Sequence, residues 1–272
     1  MHIVVCVKQV PDWDIPPSSF KVDEAAKKVV PPPGVAPVRS QFDEIGVEAA
    51  MRIKDHQPDA KVTIVSMGPE SAKNEIQQNA IKHSLAMGGD EGLLLADALF
   101  EDLDWYQISL VLSSAIKKLG DVDLVLCGRQ AVDWDMGVTG SGMAELLGWP
   151  ALTIAKDVQV KDGTAAVERV LMDGFETVEA PLPAVVTVSN ELGEPRYPKL
   201  QQIMQAARKQ ITVWSAADLG LDAGQLGPEA RKLALERLFV PVSAVECEFM
   251  EGDTPEEKAQ NLAKKLAEAK LI

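Results

Sequence analysis

One stretch of the sequence, from Val122 to Trp149, has the residue types of an anion-binding site. The apolar run Leu124–Cys127, stopped by Gly128, predicts a strand buried on both faces, and a periodic apolar run from Met143 predicts the start of a helix. The loop between them is suited to a phosphate or a nucleotide, because its amides, its hydroxyl groups and the first N–H groups of the helix are all donors. The small residues that favour this interpretation are Gly137, Thr139, Gly140, Ser141 and Gly142.

The same stretch also fits an ordinary strand-to-helix connection. Its spacing is neither that of a P-loop, since no Gly-Lys-Ser/Thr follows, nor that of G-x-G-x-x-G after a first strand. On chemistry alone both interpretations stay open.

A second polar segment follows the first predicted strand. His2–Val7 is a β-branched run typical of a parallel sheet, and Lys8–Trp13 leaves its carboxyl end, where open α/β sheets bind ligands. An amphipathic helix predicted over Asp43–Lys54 begins near the same edge, so Ser40–Asp43 is expected to face the same crevice. Trp13 packs on the core, on a partner or on a planar ligand, with the core as the default.

Charge and composition argue against several classes of protein. The 272 residues carry a net charge of −14, which repels the phosphates of nucleic acids and of anionic membranes. Cys6, Cys127 and Cys247 are widely separated, and neither they nor the three histidines have the spacing of a metal site. The sequence also offers no candidate acid–base cluster, so an enzyme with its own catalytic acid and base is not expected.

The apolar runs of the sequence are short. None approaches the ~20 residues that span a bilayer. The run Ile3–Val7 is too short for a signal peptide, is closed by Lys8 and lacks a cleavage-like segment. Because Cys6 and Cys127 lie inside apolar runs as small hydrophobic residues of a reducing compartment, the cytoplasm is the expected location.

Alternating strand and helix patterns fill the first 150 residues. This alternation predicts an α/β fold with a doubly wound, mostly parallel sheet and helices on both faces. After Pro150 a small antiparallel excursion is expected before the chain returns to the main sheet. The predicted strands and helices beyond the first of each are 61–67, 72–87, 91–95, 105–118, 124–127, 154–160, 165–171 and 184–189, with a hairpin over 20–30.

The C-terminal third divides into a short helix and an extended arm. Leu200–Lys209 predicts a helix with Leu200, Ile203 and Met204 on one face, which either packs in the fold or docks a partner. A charged helix is expected over Thr254–Ala269. We divide the chain into a nucleotide-binding α/β domain, residues 1–210, and a C-terminal arm, residues 211–272, which has so little core of its own that another subunit is expected to cover it.

Several segments carry a resemblance along nearly the whole chain. They are Val7–Asp12, Val65–Pro69, Ala86–Asp90, Cys127–Asp133, Thr139–Gly140 with Leu147–Pro150, Asp173–Thr177 with Leu182–Thr187, and Asn190–Leu200. Together they resemble the beta (small) subunits of the electron-transfer flavoproteins, and the segments from Asp173 onward are the most specific.

The resemblance implies one half of an αβ heterodimer. The alpha subunit of such a pair holds most of the FAD site, and the beta subunit supplies a domain similar to the adenine-nucleotide alpha-hydrolases that, in most members, buries one AMP. The heterodimer accepts electrons from dehydrogenases, typically acyl-CoA dehydrogenases, and passes them to a membrane quinone oxidoreductase. The arm would then pack on the alpha subunit, with no contact to nucleic acid and no insertion into the membrane.

Carried over residue by residue, the resemblance places AMP in the crevice described above. The implied cofactor-binding residues are Cys6, Ser40, Gln41, Phe42, Asp43, Met67, Gly128, Arg129, Gln130, Ala131, Val132, Asp133, Asp135, Met136, Gly137, Val138 and Thr139. Trp13 takes the place of an aromatic residue that approaches the flavin. Leu200 matches a leucine that binds a dehydrogenase within a recognition loop, residues 190–204, whose other partner-binding residues are Glu194, Pro195, Arg196, Tyr197, Ile203 and Met204.

The nucleotide loop departs from both family patterns. Members that bind AMP usually have Asn-Gln before Thr-Gly, where this chain has Gly137-Val138. Electron-bifurcating members, which hold a second FAD here and oxidise NADH, tend to have Asp-Gly-Asp-Thr and a following Val-Gly-Pro. Asp133–Met136 and Thr139–Ser141 match neither fully, although Thr-Gly favours AMP. Two alternatives to an AMP-binding carrier subunit stay open: a bifurcating subunit, and a nucleotide sensor with no redox role.

Overall fold

The structure is a computed structural model that describes residues 1–74, 79–242 and 247–272. Within them lie thirteen strands, named β1 to β13 in chain order: His2–Cys6, Gln9–Val10, Lys21–Asp23, Lys28–Val30, Val38–Arg39, Lys61–Gly68, Glu91–Ala96, Leu124–Gly128, Ala151–Lys161, Thr164–Val170, Phe175–Pro181, Ala184–Val188 and Ile211–Trp214. The α-helices in the same residues, α1 to α7, cover Gln41–His56, Asn79–Met87, Trp105–Leu119, Thr139–Leu147, Leu200–Arg208, Ala223–Leu226 and Pro255–Glu268.

Nine of the strands form one sheet in the order β11-β10-β9-β12-β8-β1-β6-β7-β13. Every pairing from β9 to β13 in this order is parallel, and β10 is antiparallel to both of its neighbours, β9 and β11. The predicted α/β fold, with its mostly parallel sheet and antiparallel excursion, is confirmed. The hairpin expected over 20–30 is also present as the pair β3–β4.

The core lies in two layers, one on each face of the sheet. In β1, Ile3 and Val5 pack with the apolar faces of α1 and α2, whereas Val4 and Cys6 pack with those of α3 and α4. This period of two is that of a strand buried on both faces. Helices therefore cover both faces of the sheet, as the sequence predicts.

The chain reverses its direction across the sheet between β1 and β8. From β1 it passes through α1 to β6 on one side, and from β8 it passes through α4 to β9 on the other side. Ligands of open α/β sheets bind at such a reversal, outside the carboxyl ends of the strands. The topology therefore indicates a candidate ligand site in the crevice between the ends of β1 and β8.

Two predicted helix starts are wrong. Glu70–Lys73 form a separate 3₁₀ turn and Asn74 is extended with φ −67° and ψ 142°, so no helix starts at Ala72. The described part of α2 is Asn79–Met87, and residues 75–78 of the helix expected over 72–87 lie outside the described residues. Helix α4 begins at Thr139, four residues before the predicted start at Met143. The second error arises because the start of α4 contains glycines, and a glycine inside a helix is easily mistaken for a loop residue.

Two glycines of α4 are packing residues rather than loop residues. A Cβ atom added to Gly140 would lie 2.4 Å from Thr187 Cγ2 on β12, and one added to Gly142 would lie 2.5 Å from Ser109 Oγ on α3. Glycine therefore lets α4 approach both elements.

The sheet domain continues beyond residue 210, where the sequence analysis ends it. Strand β13 pairs with β7 at the edge of the sheet, and Ala216, Leu221 and Leu226 are buried in the core. The segment that leaves the sheet begins after Leu226. It includes α7, where the Thr254 hydroxyl caps the helix by accepting the Glu257 amide at 3.2 Å.

Candidate nucleotide crevice and partner surface

The crevice between β1 and β8 collects the predicted nucleotide-binding residues. Cys6 ends β1, Gly128 ends β8, and Ser40–Asp43 form the N-terminus of α1 beside them. The end of β8 lies very close to the N-terminus of α1. A Cβ atom added to Gly128 would lie 2.6 Å from Phe42 Cβ and 2.7 Å from Asp43 Oδ1. Residues 129–138 then cross the mouth of the crevice to reach α4.

Asp43 connects the two sides of the crevice. Its Oδ2 accepts the backbone N–H of Lys8 at 2.8 Å, and its Oδ1 accepts that of Gly128 at 3.2 Å. The side chain is buried, and burial raises the pKa of Asp43 to about 7, although the two amides, the Lys8 charge and the nearby Ser40 hydroxyl act in the opposite direction. Both oxygens of the carboxylate are thus engaged by the protein's own backbone.

An ion pair lies across the mouth of the crevice. Lys8 Nζ donates to both carboxylate oxygens of Asp133, at 2.9 and 2.7 Å. Next to it, the guanidinium of Arg129 lies 5.7 Å from the centre of the Phe42 ring and donates to Ser189 Oγ at 3.2 Å. These contacts hold the start of the 129–138 loop against α1 and β12.

The rest of the loop is shaped by its own side chains and by left-handed residues. Gln130 Nε2 donates to Asp135 Oδ1 at 2.9 Å, and Asp135 and Gly137 have φ of 51° and 65°. Val138 precedes α4 without a side-chain cap. The first N–H groups of α4 are therefore left for an anion, with Thr139 as the first helical residue.

The crevice contains one buried hydroxyl group without a hydrogen-bond partner among the described residues. Ser40 is fully buried, yet its Oγ has no hydrogen-bond partner among the described residues. Its amide donates to the Lys8 carbonyl at 3.0 Å, which places Ser40 beside the end of β1. A free buried hydroxyl group, together with free helix amides, fits the polar groups of an adenine nucleotide.

The other predicted cofactor residues surround this centre at different depths. Cys6 is buried, with its pKa raised to about 12 by burial and by the Asp43 charge, so its thiol stays neutral. Met67 is half-buried near the end of β6, and Gln41 and Met136 are exposed. Trp13 is 51% exposed on the segment after β2, which makes its default packing in the core wrong.

A second set of contacts holds the recognition loop against α1. The Arg196 guanidinium donates to Glu48 Oε2 at 2.8 Å and to Asp55 Oδ2 at 2.7 Å, and the Arg196 amide also reaches Glu48 Oε2 at 3.1 Å. Arg52 donates to Glu48 Oε1 at 3.0 Å and to the Leu192 carbonyl at 2.9 Å. Burial raises the pKa of Glu48, but the hydrogen bonds from Arg196 and Arg52 outweigh it and hold that pKa below its usual value.

Beyond this support the loop presents an apolar face to solvent. Tyr197 is 95% exposed and Leu200 73%, and Ile203 and Met204 on α5 are about half exposed. The C-terminal end of α5 is fixed by Lys82, whose Nζ donates to the carbonyls of Ala207 and Lys209 at 3.0 and 2.9 Å. Of the two possibilities for this face, burial in the fold is wrong.

The residues that the structure describes contain no group of three or more His, Cys, Asp or Glu that could hold a metal ion. In the same residues, no helix combines the length and the apolar character needed to cross a membrane.

Comparison with known proteins decides the family. A family profile described as the electron transfer flavoprotein domain matches residues 37–219. The chain is 37% identical to the caffeyl-CoA reductase-Etf complex subunit CarD of Acetobacterium woodii over the full length of both. It is 34% identical to the electron transfer flavoprotein subunit beta of Thermoanaerobacterium thermosaccharolyticum, again over both full lengths, and 38% identical to that of Mus musculus over 82% of this chain and 84% of the mouse protein.

The chain belongs to the electron transfer flavoprotein beta-subunit family. Beta subunits of this family act in electron transfer as carriers rather than as enzymes, in a complex with an alpha subunit and a flavin. Family membership argues against a nucleotide sensor with no redox role.

Two side chains that shape the crevice and the recognition loop are absent from the predicted set. Lys8 lies in the recognised segment Val7–Asp12 and directly follows a strand, which was the available signal, yet its ion pair with Asp133 depends on a residue 125 positions away. Glu48 carried no signal beyond its place on an amphipathic helix. Arg196 was predicted to bind the partner, and the structure shows its guanidinium turned to α1, beneath the exposed face.

Proposed function

We propose that this chain is the small subunit of a heterodimeric electron-transfer flavoprotein with one AMP bound in its crevice. The heterodimer would carry electrons from dehydrogenases, acyl-CoA dehydrogenases first among them, to a membrane quinone oxidoreductase. The expected location is the cytoplasm, in keeping with the free, buried thiols of Cys6 and Cys127.

The observation that carries the nucleotide assignment is the crevice at the reversal between β1 and β8. Ser40 Oγ and the N–H groups at the start of α4 are the polar groups left to bind a ligand. The phosphate of AMP is assigned to the amides of the 128–139 loop and α4, and the rest of the nucleotide is assigned to Ser40, Gln41, Phe42 and Met67. AMP has no redox chemistry, so its role here is structural.

The redox chemistry belongs to FAD, which the alpha subunit would hold. This chain would contribute Trp13 at the edge of the flavin site. The half-exposed indole is consistent with this role, because an exposed Trp side chain is favoured where a partner or a planar ligand covers it.

The apolar face of the recognition loop supports a docking role toward a dehydrogenase. An exposed apolar patch surrounded by charge is typical of a protein–protein contact, and Leu200 lies among Lys199, Arg208 and other charged residues. Because Arg196 and Lys82 hold the loop and α5 at both ends, little ordering would be required when the partner binds.

A second candidate function is electron bifurcation, with FAD in place of AMP and NADH as a donor. The specific observation in its favour is the 37% identity, over both full lengths, to a subunit of the caffeyl-CoA reductase-Etf complex. The loop sequence at Asp133–Met136 does not separate the two candidates, since it matches neither family pattern.

Nucleotide content separates the two candidates directly. The chain is co-expressed with its alpha subunit, the purified complex is denatured, and the released nucleotides are counted by chromatography. One FAD and one AMP per heterodimer is the expected result. Two FAD and no AMP would replace the carrier by the bifurcating subunit, and NADH oxidation would then be measured. A chain that forms no complex and releases no flavin would overturn both.

A further inference from the structure

We propose that Asp43 is a positioning residue, which fixes the loops after β1 and β8 in the shape that binds the nucleotide without itself contacting the nucleotide. The inference rests on the proposed nucleotide site in the crevice, and it goes further by assigning that site's shape to one side chain.

The first support is the place of Asp43 in the fold. Strands β1 and β8 are neighbours in the sheet but lead to opposite sides of it, so their loops diverge at the crevice. Asp43 stands on a third element, α1, and accepts one amide from each of the two loops, at 2.8 Å from Lys8 and 3.2 Å from Gly128. It is thereby a direct link between the two diverging segments.

The second support is that both oxygens of the Asp43 carboxylate already accept hydrogen bonds from the protein. Each oxygen has a backbone donor, and the side chain is buried at 7% exposure. An anionic phosphate would also be repelled by an ionised carboxylate at short range. Ser40, by contrast, has a buried hydroxyl group that makes no hydrogen bond of normal geometry among the described residues, although it lies close enough to Asp43 to lower the pKa of that carboxyl.

The third support is the chemistry of the two bonds. An ionised carboxylate accepts at both oxygens, whereas a protonated one must donate from one oxygen, which would then face an N–H donor. The geometry of both loops therefore depends on the charge of Asp43, and its pKa of about 7 brings the change in charge into the neutral range.

The thiols nearest to Asp43 do not titrate in this range. The thiols of Cys6 on β1 and Cys127 on β8 both have raised pKa values because they are buried, so they stay neutral. The Lys8 amine is paired with Asp133, and Glu44, next to Asp43 on α1, is paired with Arg39. His83 of α2 faces Glu44, and burial and the Arg39 charge lower its pKa, so it also stays neutral near pH 7.

The test compares Asp43→Asn with the wild-type heterodimer, freed of bound nucleotide, by titration with AMP from pH 6 to pH 8. Asparagine keeps the size of the side chain but presents one donor to an N–H group. We expect AMP to bind the variant about tenfold more weakly at pH 8, the usual cost of one buried charged hydrogen bond. The ratio of the two affinities should shrink toward one at pH 6. The phosphate of AMP titrates in both proteins, so the ratio of their affinities reports Asp43 alone.

A control variant and a second measurement keep the result specific. Glu48→Gln removes another buried carboxylate from the same helix, and its AMP affinity is expected to stay within about twofold of the wild type. In the nucleotide-free heterodimers, hydrogen exchange at Lys8 and across residues 128–138 should be faster in Asp43→Asn than in the wild type or Glu48→Gln. A residue that only contacted the nucleotide would leave this exchange unchanged.

Each outcome has a defined meaning. Equal AMP affinities of wild type and Asp43→Asn, or weaker binding with unchanged exchange, would overturn the positioning role. A loss in affinity of the same size at every pH would also overturn it, since the effect would not depend on the charge. A wild-type heterodimer that binds no AMP at any pH would instead overturn the proposed nucleotide site, and exchange in the nucleotide-free proteins would still report whether Asp43 fixes the loops.

Discussion

Two buried carboxylates on α1 support the two working surfaces of this subunit. Asp43 faces the crevice and Glu48 the recognition loop, in keeping with the rotation of about 140° that five residues produce in an α-helix. Sequence analysis predicted α1 and its N-terminus from periodicity. It could not assign these contacts, because the donors of the two side chains lie up to 85 and 148 positions away.

Replacing Arg196 by Ala should destabilise the subunit. Glu48 is buried and would keep only Arg52 as a charged donor, so the free energy of unfolding should fall by about 1–3 kcal/mol. Urea denaturation measures the change. Lys199→Ala, in the same loop but exposed, is the control and should change stability by no more than about 0.5 kcal/mol. An equal, small effect of both substitutions would contradict a supporting role for Arg196.

The raised pKa of Asp43 predicts how stability depends on pH. In the folded protein its pKa is about 7, above the usual value for an aspartate, so the folded state holds the proton where the unfolded state has lost it. The stabilising contribution is complete in acid and is lost as the pH rises through about 7. Between pH 5 and pH 7 the wild type should lose up to ~1 kcal/mol per pH unit relative to Asp43→Asn. Parallel unfolding curves for the two proteins across this range would show that the prediction is wrong.

At the scale of elements, α4 shows where sequence patterns reach their limit. The strand was predicted over Leu124–Cys127 and extends to Gly128, and the helix after it was predicted from apolar periodicity, but the glycines at the helix start were assigned to the loop. Their packing against Thr187 and Ser109 depends on elements remote in sequence. Ile211–Trp214 has the residue types of a strand, but its place at the edge of the sheet, as β13, required the structure.

Replacing Gly140 by Ala should therefore push α4 away from β12. The added Cβ would lie 2.4 Å from Thr187 Cγ2 and 3.0 Å from Cys127 Sγ, both in the buried core, and such overpacking costs about 1–3 kcal/mol. The melting temperature and the affinity for AMP should both decrease. Gly174→Ala is the matched control, because Gly174 has open space around its Cβ position and no positive φ. A Gly140→Ala protein as stable as that control would contradict the packing argument.

The exposed face of α5 predicts the opposite pattern, a loss of function without a loss of stability. Leu200→Ala removes a side chain that is 73% exposed, so the free energy of unfolding should change by less than about 0.5 kcal/mol. Electron transfer from an acyl-CoA dehydrogenase should fall by about tenfold or more if this leucine is a hot spot. Steady-state reduction of the heterodimer measures this, and Gln201→Ala, also exposed on α5, serves as the control.

At the scale of the whole molecule, the chain is a sheet domain with a long extension. The exit of the extension is fixed by Asp104, whose carboxylate accepts the amides of Lys232 and Leu233, and by Lys27, whose Nζ donates to the Leu235 carbonyl at 2.6 Å. Beyond that point most of the described apolar side chains are exposed. Composition predicted this arm, and only the burial of Leu226 showed where it begins.

Ending the chain after Leu235 should separate folding from assembly. The sheet domain keeps the contacts of Asp104 and Lys27, so its melting temperature should change by no more than a few degrees. Association with the alpha subunit, followed by size-exclusion chromatography of the co-expressed pair, should be lost. A chain ended after Asp253, which lacks only α7 and the residues after it, should retain part of the association. Full association of the shorter chain would show that the arm does not cover the contact.

The arm exposes apolar side chains, among them Phe239, Val242 and Phe249. Their exposure affects the fate of the subunit before it assembles. A newly synthesised copy without its alpha subunit keeps them in water, where chaperones and proteases bind such segments. Copies made in excess are therefore expected to be degraded rather than stored. The arm would in this way match the supply of one subunit to that of the other after translation.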